Sequence, residues 1–342
     1  MNSLPIVGIT MGDPAGIGPE IIIKALSDKN LYEKCRPVVF GDPKVLYNCL
    51  RVDQTISINE ISVSEQTSGI PSVIDILPVS ILSKESLTPG EPTIEGGKAM
   101  VDYITTAVDL AMHRKIDGVV TCPINKSLMN RAGYSYQGHT QLISHLTKTD
   151  NYVMMLAGKT LRVTLVTIHC ALREVSMSLD KHNIFKTIQI TSDSLKDDFG
   201  IKNPRIAVAA LNPHAGESGL FGNEEETIID PAVKMAIAEG FNVIGPLPAD
   251  TLYPKAVSGD FDAVVNMYHD QGLIPLKLLH FSDAVNVTLG LPIVRTSVDH
   301  GTAYDIAGKN RANPSSLKAA IQMAVEMIQN RIKNNKFKNH EK

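Results

Sequence analysis

The 342-residue sequence contains no tryptophan, only 5% aromatic residues and four cysteines. So few rings exclude the stacking platforms that hold single-stranded nucleic acid. A net charge of −3 excludes a general polyanion-binding surface. Cys35, Cys49, Cys122 and Cys170 form no C-x-x-C pair and no tight cluster. They are expected to be reduced, small hydrophobes of a cytoplasmic protein. No run approaches the ~18 apolar residues of a membrane-spanning helix. The start, "MNSLPIVGIT", lacks the basic segment, long apolar stretch and cleavage site of an export signal. Neither nucleic acid nor membrane is therefore expected as a partner.

What is present describes an ordinary globular protein: 43% hydrophobic and 20% charged residues. The length exceeds what one hydrophobic core usually supports, so two domains are expected. Strand-like runs alternate with helix-like segments and Gly/Pro breaks, the pattern of an α/β protein. "PIVGIT", "PVVFGD", "IDGVVTCP", "RVTLVTIH", "RIAVAALNPH" and "FDAVVNMYHD" read as strands, Val/Ile/Ala-rich as in sheets covered on both faces. "PEIIIKAL", with Pro19 in its first turn, "KVLYNCL", the segment 93–115 and "SSLKAAIQMAVEMIQNRIK" read as helices. The basic tail "RIKNNKFKNHEK" reads as a solvated helix end. Residues 56–80 read as short strands with turns.

Three histidines, His169, His214 and His269, each stand directly after a strand-like run, in "TIH", "NPH" and "MYHD". Open α/β sheets bind ligands beyond the carboxyl ends of their strands, so three distant histidines can converge there. Each alone is compatible with a turn residue, a proton shuttle or a metal ligand. Three neutral imidazoles would suit Zn²⁺ or another borderline divalent ion and leave positions open for substrate. Asp270 and Asp250 can orient a ring N–H or ligate directly.

The stretch "GDPAGIGPE" (residues 12–20) joins a strand to a helix as phosphate loops do, but Ile21 occupies the third glycine position of G-x-G-x-x-G. Lys277, Asn286 and Arg295 can bind a phosphorylated acid, Arg by a bidentate grip and Lys as a point charge. His139 and Thr140 in "QGHTQL" add donors after a glycine. The polar, glycine-dotted segment "DHGTAYDIAGKNRANP" (299–314) is long for a loop without function, and Asp305, Gly308 and Asn313 can hold a ribose and adenine.

Taken together, "MGDPAGIGPE", "GHT", "TIHCALR", "LNPHAGE", "GPLPADT", "YHDQGLIPLK" and "LPIVRTSVDHGTA" resemble the 4-hydroxythreonine-4-phosphate dehydrogenase family over nearly the whole chain. "HGTAYDIAGKNRANP" also looks like segments of isopropylmalate and isocitrate dehydrogenases. The resemblance implies an α/β fold of two α/β/α domains with the active site in the interdomain cleft. The expected division is residues 1–125 plus 285–342, carrying the dinucleotide loop, and 126–284, carrying metal ligands and a homodimer interface near the active sites.

On that family's pattern, His169, His214 and His269 match metal ligands. His139, Thr140, Lys277, Asn286 and Arg295 match substrate contacts. His300, Asp305, Gly308 and Asn313 fall in the adenosine end of a dinucleotide site for NAD or NADP. Asp250, Asp270 and Lys126 are candidates for the general base. "TCPINKS" (121–127) departs from the Gly-Pro-x-His/Asn-Lys turn of some members, but keeps Lys126. The implied reaction is NAD(P)- and divalent-metal-dependent oxidation of 4-(phosphooxy)-L-threonine in vitamin B6 synthesis, with Zn²⁺, Co²⁺ or Mg²⁺ as the metal. A sister reading is 4-phospho-D-threonate or 4-phospho-D-erythronate oxidation. A metal-dependent hydrolase and a non-catalytic phosphometabolite-binding protein are the readings from other classes.

Overall fold

In the computed structural model, residues 4–50 and 56–340 are described. The chain divides into two compact units, Met1–Asp150 with Leu291–Gln329, and Asn151–Gly290 with Asn330–Lys342.

The first unit carries β1 (Ile6–Thr10), α1 (Gly18–Leu26), β2 (Arg36–Gly41), α2 (Pro43–Leu50), β3 (Ser57–Glu60), β4 (Val73–Pro78), α3 (Ile94–Met112), β5 (Gly118–Thr121), α4 (Lys126–Arg131) and α5 (His139–Leu146). After the second unit come β12 (Val294–Val298) and α11 (Ser315–His340), which closes the described chain. Its strands lie in the order β3-β4-β2-β1-β5-β12, every pair parallel. Parallel strands require helical crossovers on their faces, and β1 and β5 are accordingly buried throughout. α3 begins where Thr93 Oγ1 accepts the Gly96 N–H at 3.0 Å. It buries Met100, Tyr103, Ile104, Ala107, Val108 and Ala111, at helical spacing. The chain first steps from β1 to β2 on one side and later places β5 on the other. The carboxyl ends of β1 and β5 therefore form a topological switch point, where open α/β sheets bind ligands.

The second unit carries β6 (Val153–Ala157), β7 (Arg162–Leu165), α6 (Val175–Ser178), α7 (Lys181–Asp197), β8 (Ile206–Ala209), α8 (Asp230–Ala238), β9 (Val243–Leu247), α9 (Ala249–Val257), β10 (Ala263–Asn266), α10 (His269–Leu279) and β11 (Val285–Leu289). Their order is β11-β6-β7-β10-β8-β9. β11/β6 and β6/β7 are antiparallel, and β7, β10, β8 and β9 are mutually parallel. Leu156, Val163, Ala207, Val264, Leu273 and Leu276 form its core. Each large apolar side chain removed from water there contributes roughly 1.5–3 kcal/mol.

The breaks fall after Asp150 and Gly290, not after residues 125 and 284 as expected. α4 and α5 pack on α3, which keeps His139 and Lys126 in the first unit. β11 pairs with β6 through Leu289, which keeps that strand in the second. The basic tail is not simply solvated. The Arg331 guanidinium pairs with the buried Asp198 carboxylate, and the Asn334 amide donates to the Lys196 and Asp197 carbonyls. Its last two residues, 341 and 342, lie outside the described residues. Among the described residues no helix is long and apolar enough to cross a membrane.

Candidate active site

The three histidines follow three adjacent parallel strands of the second unit: His169 after β7, His269 after the central β10, and His214 after β8. The strand ends are locked together. Thr167 Oγ1 donates to the Met267 carbonyl at 2.7 Å. Gln271 accepts the Met267 N–H at 2.8 Å and donates to the Ala210 carbonyl at 2.5 Å.

The His169 and His269 rings lie 6.1 Å apart, centroid to centroid. His269, the first residue of α10, has Nδ1 at 2.7 Å from Asp270 Oδ1. An ionised carboxylate only accepts, so Nδ1 carries the proton and Nε2 presents a lone pair. His169, His269 and Asp270 line a cavity of about 490 Å³, together with Tyr268 and Ile274. His214 and Asp250 line a second cavity of about 640 Å³ that shares Tyr268, Asp270 and Ile274 with the first.

Among the described residues no three His, Cys, Asp or Glu side chains are gathered in a metal-holding group. The expected set of three imidazoles is thus assembled only as a pair, with the third on the adjoining cavity. The local turn engages His214: its Nδ1 is 3.7 Å from Glu217 Oε2, and its ring is 6.2 Å from that of Phe221. The donor chemistry fits a borderline divalent cation, with three imidazoles at neighbouring strand ends and one of them oriented by a carboxylate.

Lys277, on α10, is half-buried with its Nζ 6.0 Å from the Phe281 ring. Asn286, on β11, keeps its Oδ1 buried without a hydrogen-bond partner. A buried acceptor of that kind suits a ligand donor.

At the switch point of the first unit, Gly12 (φ 72°) lets the turn after β1 press on the turn after β5. A Cβ there would lie 2.3 Å from the Pro123 carbonyl oxygen. Arg295 on β12 is buried at 1% exposure and donates from Nη2 to Thr121 Oγ1 at 2.8 Å. Burial pulls its guanidinium down to about 9, still protonated at neutral pH. His139 Nε2 lies 3.1 Å from the Cys122 carbonyl, to which it donates. Burial, then the Arg295 charge, and last the Lys126 charge hold His139 well below the ordinary imidazole range, so it is neutral. His139 and Thr140 open α5 after Gly138, and Lys126 opens α4. A buried guanidinium, a lysine and the free N–H groups of a helix start are the components of a phosphate site.

The turn 121–127, where the resemblance departs, is ordered by Asn125. Its Oδ1 accepts the Leu128 N–H at 3.0 Å and its Nδ2 donates to Tyr304 Oη at 2.9 Å. Tyr304 donates in turn to the buried Asp13 carboxylate at 2.6 Å, which burial raises above the usual carboxylate range. Ile17 N donates to Thr302 O at 3.0 Å, and Ala312 N to Glu20 Oε1 at 2.7 Å. The segment 299–314 is thereby pinned against residues 13–20.

Gly308 lines a cavity of about 110 Å³ with Gly16, Glu20, Asn48, Cys49 and Pro89. His300 Nδ1 lies 3.1 Å from the Gly301 carbonyl. Asp305 is exposed, and its carbonyl accepts Lys309 Nζ at 2.7 Å. Asn313 Oδ1 is taken by the Ser315 N–H and hydroxyl at 2.9 and 2.7 Å, which makes it a brace for the start of α11. Of the four residues expected to contact a dinucleotide, Gly308 is the one on this cavity. Sequence reasoning missed Gln271, Asp13 and Tyr304. Asp13 stood inside the quoted glycine-rich stretch and Gln271 beside His269, but only the fold supplies their partners.

The sequence model of a family described as "Pyridoxal phosphate biosynthetic protein PdxA" matches residues 33–324. A 4-hydroxythreonine-4-phosphate dehydrogenase of Desulforapulum autotrophicum is 54% identical over 330 residues, 94% of this chain and 95% of the relative. A D-threonate 4-phosphate dehydrogenase of Cupriavidus necator is 43% identical, over 96% of this chain and 98% of its own length. The crystal structure of 4-hydroxythreonine-4-phosphate dehydrogenase from Klebsiella pneumoniae superposes with a TM-score of 0.88 at 40% identity, covering 95% of this chain and 100% of that one. Matched over most of its length by the family's model and at such identity by its members, the chain belongs to the PdxA family and is a dehydrogenase.

Proposed function

We propose that the protein oxidises 4-(phosphooxy)-L-threonine at C3 to the 3-oxo acid, which loses its carboxylate as CO₂ to leave 3-amino-2-oxopropyl phosphate, in the formation of pyridoxal phosphate. The observation that carries the reading is the line of three histidines at three adjacent parallel strand ends, one of them held by a carboxylate. The name of the Desulforapulum relative supports this choice of substrate.

His169, His214 and His269 would hold a divalent cation of the Zn²⁺, Co²⁺ or Mg²⁺ type, which when bound would supply Lewis-acid polarisation at the C3 oxygen, as NAD or NADP would supply the hydride acceptor. Asp270 fixes the His269 tautomer. That role leaves Asp250, on the cavity wall with His214, as the better candidate to accept the C3 hydroxyl proton. Arg295, Lys126, Thr140 and the first N–H groups of α5 hold the phosphate, with His139 kept neutral beside them. The phosphate is remote from the reacting carbons, so its binding energy goes into positioning. Lys277 and Asn286 contribute further polar contacts, and the 299–314 segment receives the nucleoside end of the dinucleotide.

The protein acts as a homodimer in this reading. The second unit exposes Leu278, Phe281, Met177, Leu172 and Leu220, each more than two-thirds accessible, a pattern that suits contact with a second copy.

The second reading is oxidation of 4-phospho-D-threonate, favoured by the names of relatives at 43–45% identity. The two substrates differ at C2, amine against hydroxyl. Incubating the protein with NAD⁺ or NADP⁺, a divalent metal and each acid, and following reduced nicotinamide by absorbance, separates them. Turnover of phosphothreonate alone would sink the first reading, and turnover of neither acid would sink both.

A further inference from the structure

The turn bearing His214 is held in an improbable backbone conformation. His214 (φ 54°), Ala215 (54°), Glu217 (44°) and Ser218 (56°) are all left-handed without being glycine. Such a run persists only where its surroundings over-determine it. Two consecutive glutamates supply that determination. Glu225 is buried, and its Oε1 accepts the Leu211 and Asn212 N–H groups at 2.8 and 2.7 Å. The Asn212 side-chain amide donates to Glu225 Oε2 at 2.9 Å and to Glu224 Oε2 at 2.7 Å. At Gly216 the turn passes so close that a Cβ would lie 2.8 Å from Glu225 Oε2.

The other oxygen of Glu224 reaches elsewhere. Its Oε1 accepts the hydroxyl of Ser176, on α6, at 2.6 Å. That helix follows the segment bearing His169. Neighbouring side chains on an α-helix diverge by about 100°, yet both carboxylates meet one amide here. They do so where the helix opens with a π turn, Glu225–Ile229, a feature frequent at functional sites.

We propose that the Glu224–Glu225 pair is a positioning element for the divalent-metal site, tying the turn that carries His214 to the segment that follows His169. This rests on the metal reading of the histidines given above. The pair acts through the chain: its carboxylates hold Leu211, Asn212 and Ser176. It holds two ligand-bearing segments in fixed relation, so that little ordering remains when the cation binds. The Ser176 hydroxyl, first among several hydrogen bonds, keeps the Glu224 carboxyl below its ordinary range.

The test is Co²⁺ titration of the full chain, followed by visible absorption, beside thermal unfolding of the metal-free protein. Glu224→Ala should raise the Co²⁺ dissociation constant roughly 10–100-fold, with the metal-free midpoint nearly unchanged. Ser176→Ala should raise it by less. Glu224→Gln should recover most of the affinity, because its carbonyl oxygen still accepts from Asn212. Should Glu224→Ala fail to fold, Ser176→Ala carries the same comparison. A lowered midpoint with unchanged Co²⁺ affinity would overturn the positioning role alone. If the wild-type chain took up no Co²⁺, the metal reading would fall and the positioning role with it.

Discussion

His269 Nδ1 and Asp270 Oδ1 stand 2.7 Å apart at the start of α10, so adjacent residues of the chain form an imidazole and its orienting carboxylate. Asp270→Asn replaces an obligate acceptor by a group that also donates, and so removes the preference for the Nδ1–H tautomer. Divalent-metal affinity should fall roughly 10–100-fold, with turnover falling in parallel at limiting metal. Calorimetric titration with Zn²⁺ and the nicotinamide assay check both.

His214→Ala should abolish turnover with either phosphorylated acid and weaken metal binding. Prolonged treatment with a chelator should do the same to the wild-type protein, reversibly on adding Zn²⁺ or Co²⁺. A His214→Ala protein with near-normal metal content and rate would remove His214 from the ligand set.

Arg295 is a buried cation next to the Thr121 hydroxyl. Replacing it with Met removes the desolvation cost together with the charge. The thermal midpoint of Arg295→Met should therefore stay level or rise. The KM for the phosphorylated substrate should rise on the order of 100-fold. Inorganic phosphate should compete with substrate in the wild-type protein and lose that effect in the variant.

His139 is held below the ordinary imidazole range by burial and by the Arg295 charge. In the unfolded chain it titrates near about 6.5. As pH falls below that value the unfolded state takes up a proton that the folded state refuses. The stability this group contributes is thus complete above the unfolded value and is lost as pH drops toward the folded one. Urea unfolding at pH 7.5 and 5.5 should show a smaller acid loss for His139→Gln than for wild type. Equal losses would mean that the imidazole is not held neutral.

Gly12→Ala places a Cβ against the Pro123 carbonyl at a positive φ. The cost should be about 3 kcal/mol, read as a lower urea midpoint. Loss of activity should accompany it, because the turns after β1 and β5 can no longer meet.

Alternation of apolar runs with helix-period segments determined the α/β class, because strands covered on both faces must be predominantly apolar, and β1, β5, β8 and β10 are buried along their whole length. The position of each histidine after a strand was likewise legible, since it depends only on local order along the chain. Tertiary structure alone decided that β7, β10 and β8 are neighbours, which sets those three histidines at adjacent strand ends. It also decided that β11 belongs with β6, and that Asn313, legible as a nucleoside contact, braces a helix.

The anchors lay beyond sequence reasoning for the same reason. Glu224 meets Ser176, Tyr304 meets Asp13, and Gln271 meets Ala210, each across a long stretch of chain. Period and spacing report which way a side chain faces along its own element. Which distant group it meets is set by how the strands order themselves in the sheet, and that order is a property of the folded chain.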